Sequence, residues 1–77
     1  MVCTLSALAR GERGAVCRLT ATGAMRRRLM DIGLTPGTPV EVLFRACFGD
    51  PTAYLVRGTV VALRREDAER IYVRRNT

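Results

Sequence analysis

Two spacings organise the apolar residues of this chain. Between Ala24 and Ile32 they recur with a helical period: Met25, Leu29 and Ile32 fall at i, i+4 and i+7 and share one face. Arg26 and Arg27 point away from that face. The pattern predicts a helix over about 24–32, with Thr20 and Thr22 as candidate caps at its start. Gly33 suits the left-handed position just past the end, and Leu34 is then placed to touch Leu29. Pro36 prevents any restart of the helix.

Elsewhere the period is two. Val40, Val42 and Phe44 alternate with Glu41, Leu43 and Arg45, which predicts a strand with Phe44 on its buried face. Further strands are predicted over 15–19, 53–57, 59–63 and 71–74. The breakers between them are specific. Gly11 and Gly14, among charged residues, mark a turn. Thr35-Pro36-Gly37-Thr38 has Pro second and Gly third, the type II pattern. Phe48-Gly49-Asp50-Pro51 is a loop, and Gly58 is the bend of a tight hairpin. Residues 66–70 read as a short helical turn, acidic at its start as the helix dipole favours.

Five short strands in 77 residues are too few for two stacked sheets. They predict a mainly β chain: a small barrel plugged at one end by the helix, with a short helical turn before the last strand. The length allows one domain, 1–77. Leu29 and Leu63 belong in its core, and Gly33, Gly37, Gly49 and Gly58 are expected to serve structure.

Charge and chemistry narrow the function. The chain has 13 basic residues, all Arg, against 7 acidic ones, a net charge of +6. That balance favours acidic partners: nucleic acid, anionic headgroups or an acidic protein face. It also keeps a small protein in solution. There is no His, so the commonest general base and the commonest metal ligand are both missing. Cys3, Cys17 and Cys47 are odd in number and far apart, which argues against a disulfide framework and for the reducing cytoplasm. Cys17 is expected to pack as a small hydrophobe. Glu66, Asp67 and Glu69 read as a solvated first turn, no phosphate-binding loop is present, and no metal or cofactor is expected. The apolar runs are too short to cross a bilayer. A protein-binding module without enzymatic activity follows from these absences.

The free helix face offers Arg26 and Arg27 as partner contacts, with Phe48, Asp50 and Pro51 in the loop and Tyr54 on the strand beyond. A second reading of the same region has Arg28 turned inward to pair with Asp50, and Asp50 and Pro51 serving only the turn.

The ordered blocks resemble the FeoA family. Residues 28–38 with Val40-Glu41-Val42 are similar to its core motif. Gly49-Asp50-Pro51 with Val56-Arg57-Gly58 resembles its second block, and Ala62-Leu63-Arg64 with Ala68 and Ile71 its third. Leu5, Leu8, Gly11, Gly14, Val16 and Leu19 fit its opening. Cys47-Phe48 departs from the pattern, standing where the family often has Pro and an aliphatic residue. The resemblance implies an SH3-like barrel and a cytoplasmic role in bacterial ferrous iron uptake. It implies binding to the cytosolic GTP-binding region of a FeoB-type transporter, with the membrane reached only through that partner. Weak self-association is left open. Two alternatives stand beside it: a small basic barrel that binds nucleic acid, and a regulatory module that meets a metal-dependent repressor. Few exposed aromatics count against the first.

Overall fold

A computed structural model describes residues 1–75. The last two positions of the expected 1–77 domain lie outside the described residues. Six strands form one antiparallel sheet: β1 Val2–Thr4, β2 Arg13–Leu19, β3 Pro39–Arg45, β4 Thr52–Val56, β5 Thr59–Leu63 and β6 Ile71–Arg75. Helix α1 spans Gly23–Asp31 and the short α2 spans Arg65–Ala68. The strand order is β1-β6-β2-β3-β4-β5. One cluster of buried side chains draws Val16 and Leu19 from β2, Val40 and Val42 from β3, Tyr54 and Val56 from β4, Leu63 from β5, and Ile71 and Val73 from β6. A single sheet reaches one cluster from so many strands only by curling around it. The result is the expected small barrel, left open between β1 and β5, which share no ladder.

β1 is one strand more than the alternation predicts. Three residues are too few to show a period, and Val2–Thr4 is extended because β6 offers it a partner edge, Cys3 opposite Val73.

Two register shifts help the sheet curl. One lies between Val16 and Arg18 on β2, the other between Val42 and Phe44 on β3. Each inserts one residue, bending its strand and increasing its twist. The second shift corrects the reading of Phe44. Val40 and Val42 are buried, but past the inserted Leu43 the alternation slips, and Phe44 is 53% exposed.

α1 packs on the core through Leu29, with Met25 and Ile32 partly buried beside it. Its end closes as a Schellman motif. The Leu34 amide donates to the Leu29 carbonyl at 3.1 Å and the Gly33 amide to the Met30 carbonyl at 3.0 Å. Gly33 sits at φ +107°, and a Cβ there would also meet Cδ of Arg57 at 3.0 Å. Thr22 occupies the N-cap position without a side-chain cap bond. In the turn that follows, the Thr38 amide donates to the Thr35 carbonyl at 3.0 Å, and the Gly37 amide to the Val16 carbonyl at 2.7 Å. That second bond ties the turn to β2.

The β4–β5 connection has two residues, Arg57 at φ +51° and Gly58 at φ +78°. Positive φ at both central positions is the type I′ turn, whose twist matches the flanking strands. Arg57 therefore belongs to the turn, and β4 ends at Val56.

Candidate functional site

The expected contact residues fall into three groups. The first is on α1. Arg26 and Arg27 are exposed, and Arg26 Nη1 reaches back to the Leu19 carbonyl at 3.5 Å. Arg28 is exposed too, in the last turn, where its charge suits the carbonyl end of the helix. It does not pair with Asp50, which corrects the expected ion pair.

The second group is the loop from β3 to β4. The Gly49 amide donates to the Ala46 carbonyl at 2.8 Å and the Ala46 amide to the Pro51 carbonyl at 3.0 Å. Asp50 Oδ1 accepts from the Arg65 amide at 2.9 Å. That carboxylate thus caps α2 from a distant part of the chain, since Arg64 at the N-cap position supplies no side-chain bond. Arg45, just before the loop, donates from Nη2 to the Leu8 carbonyl at 2.6 Å and from Nη1 to Thr52 Oγ1 at 3.4 Å. Phe48 projects from this loop, fully exposed, with φ +70°. A bulky residue in left-handed backbone costs about 1–2 kcal/mol, and Phe48 buries nothing in return. Phe44 lies at the same end of the β3–β4 hairpin, opposite Ala53. Sequence reasoning missed Phe44 because the shift in β3 carries no residue signature. Gly33, Gly37, Gly49 and Gly58 all have positive φ, and Leu29 and Leu63 are buried.

The third group is Tyr54 alone, and here the structure corrects the expectation. Tyr54 is 1% exposed, among the largest fully buried side chains. Thr52, Ala53 and Tyr54 are buried in succession, so β4 is covered on both faces. Tyr54 cannot touch a partner from there. Burial pushes its phenol above the ordinary pKa of 10.0; the Arg45 charge and Thr52 work against that shift, and Asp50 adds to it.

Much of the positive charge is exposed around these groups. Glu41 meets Arg13 at 3.5 Å and Glu12 meets Arg75 at 3.6 Å, and Arg18 lies over the Tyr72 ring at 4.6 Å. The solvent-facing Arg13–Glu41 pair contributes little to stability, whereas Arg75 and Glu12 are half-buried. Among the described residues no three His, Cys, Asp or Glu side chains converge as a metal site. No described helix is long and apolar enough to cross a membrane. The arrangement offers two exposed surfaces: Phe44 on β3 with Phe48 on the loop after it, and the arginines of α1.

Known proteins are similar to this chain in sequence and fold. A Porphyromonas gingivalis protein described as an Fe(2+) transport protein A/Fe(2+) transporter FeoB fusion is 35% identical over 69 residues, 90% of this chain. The chain spans only 8% of the length of that protein. The solution structure of FeoA from Chlorobium tepidum is 40% identical, with a TM-score of 0.90 over 96% of this chain and 70% of that one. The crystal structure of Stenotrophomonas maltophilia FeoA with zinc, described as a procaryotic SH3 domain protein, is 31% identical. Its TM-score is 0.81 over 91% of this chain and 87% of that one. The fold is therefore SH3-like. The FeoA domain profile itself matches residues 3–75, and the chain belongs to the FeoA domain family.

Proposed function

We propose that this protein is a non-enzymatic accessory of ferrous iron uptake, working in the cytoplasm by docking on the cytosolic GTP-binding region of a FeoB-type transporter. The observation that carries this reading is the fusion: in the Porphyromonas gingivalis relative, a domain like this one is one polypeptide with an Fe(2+) transporter. Tethering two modules gives each a high effective concentration at the other, an advantage only where they meet. The surface supports docking. Exposed Phe44 and Phe48 supply apolar anchors, and Arg26 and Arg27 supply charge for an acidic face. The absence of His leaves the chain poor in acid–base chemistry.

The test is calorimetric titration of this protein into the purified GTP-binding domain of its cognate transporter, with and without nucleotide, at physiological salt. Saturable heat is expected, and Phe48→Ala or the Arg26→Glu, Arg27→Glu pair weakens it without lowering the unfolding temperature. No heat in either nucleotide state overturns the reading. Salt-sensitive binding to a random oligonucleotide in its place favours the nucleic-acid alternative.

A further inference from the structure

The two edges of the sheet are unlike each other. β1 is three residues long, and a short edge strand templates little pairing. β5 is five residues, Thr59-Val60-Val61-Ala62-Leu63, uncharged and free of Pro, and it pairs with β4 without a register break. It has none of the usual protections of an exposed edge: no charge, no bulge, no proline.

The hairpin fixes which backbone groups face outward. Across a two-residue turn the flanking residues, Val56 and Thr59, form a hydrogen-bonded pair. Pairs then alternate, so Tyr54 with Val61 and Thr52 with Leu63 are bonded as well. Val60 and Ala62 aim their amides and carbonyls away from β4. Among the described residues no strand pairs with that side, and no loop bond reaches either residue. Both side chains are exposed, Val60 at 59%. Beside the strand runs an open groove in which Met30, Ile32 and Val61 are apolar and Asp31 and Arg57 are charged.

We propose that β5 accepts a seventh strand: an extended segment of the transporter's cytosolic region, apolar at its centre and acidic at its ends. The proposal rests on the docking function above and names its surface. The chemistry of the occupant follows from charge. Exposed Arg57 stands at one end of β5, and exposed Arg64 and Arg65 stand at the other. A second copy of this chain fits worse. Antiparallel self-pairing centred on Val61 brings Arg57 of each copy toward Arg64 and Arg65 of the other, and facing like charges repel. The edge is also continuous with the aromatic loop, because Leu63 pairs with Thr52 and Asp50 holds the Arg65 amide. One segment can therefore run along β5 and end against the Phe48 loop.

Residue-resolved amide hydrogen exchange, on the full chain with and without the purified GTP-binding domain, tests this. The Val60 and Ala62 amides are expected to slow at least about tenfold in the complex, as new ladder bonds require. Val60→Pro removes an outward donor and no bond to β4, so about tenfold weaker binding is expected with the fold retained. Arg64→Glu with Arg65→Glu weakens binding as well. Saturable binding with Val60 and Ala62 exchange unchanged leaves the docking function standing and overturns the β5 surface. Complete absence of binding overturns both. Protection that appears without partner, with concentration-dependent dimers in sedimentation, assigns the edge to a second copy and overturns the acidic segment.

Discussion

Strand β4 is entered and left through two connections, and each holds a bulky residue in left-handed backbone: Phe48 at φ +70° before it, Arg57 at φ +51° after it. The two residues differ in what their side chains do. The Arg57 guanidinium reaches Thr35 Oγ1 at 3.3 Å and Thr38 Oγ1 at 3.4 Å, and its stem packs against Gly33. It stitches the hairpin to the end of α1. Phe48 reaches nothing and stands in solvent. Backbone strain balanced by contacts within the chain belongs to the fold. Strain without such contacts has no return within the chain, which is why Phe48 is placed in the proposed docking surface.

The contrast can be broken or sharpened by substitution. The largest effect is expected for Tyr54→Ala, which empties the wall between the two connections. A loss of about 3–5 kcal/mol is typical for a buried aromatic, and urea unfolding measures it. A midpoint equal to wild type places Tyr54 outside the core. Next is Gly33→Val, which puts a side chain at φ +107° and against Arg57. About 1–3 kcal/mol is expected from strain of this kind, seen as a lower melting temperature. Asp50→Ala removes the cap on α2 and should lower stability by about 1 kcal/mol; an unchanged melting temperature shows that solvent caps the helix equally well. The sharpest test is a matched pair read in the same unfolding assay. Phe48→Gly relieves strain and loses no contact, so stability changes by between zero and a gain of about 1 kcal/mol. Arg57→Gly relieves similar strain but loses the threonine bonds, and a net loss is expected. The same sign for both abolishes the distinction.

The smallest effect is confined to alkaline solution. The Tyr54 phenol ionises above 10.0 in the folded chain because burial disfavours its charged form. The unfolded chain gives up that proton first. Stability from this source is complete below about pH 10 and falls as pH rises from there through the folded value. Tyr54→Phe should flatten that decline when urea midpoints are compared between about pH 9 and pH 11.

Much of the fold is legible in the residues themselves. Helix α1 announces itself by the spacing of Met25, Leu29 and Ile32, and Gly33 marks its end because only a residue without Cβ enters the left-handed position freely. The β4–β5 hairpin is readable from Gly58 between two apolar runs. What escapes is decided by distant partners. β1 exists only because β6 is there to pair with it. The exposure of Phe44 depends on a one-residue shift in register, and Leu43 looks like any strand residue. Tyr54 reads as a partner contact on the strand beyond the loop, yet three residues of β4 are buried in a row. Of the candidate contacts, Phe48 and the α1 arginines are legible as polar-face and loop residues. The β5 edge is not, because a free edge is a property of strand order and no local pattern encodes it.

That order also sets a schedule for synthesis. β6 is the last strand of the described chain, yet it lies between β1 and β2 and brings Ile71 and Val73 to the interior. While the ribosome still holds it, β2 to β5 can assemble as a meander, but β1 waits with no neighbour and one flank of β2 stays open. The native sheet is completed by inserting β6 between β1 and β2. Folding of this domain therefore waits until 71–75 have been made, and loss of 71–75 would remove the strand that joins β1 to β2.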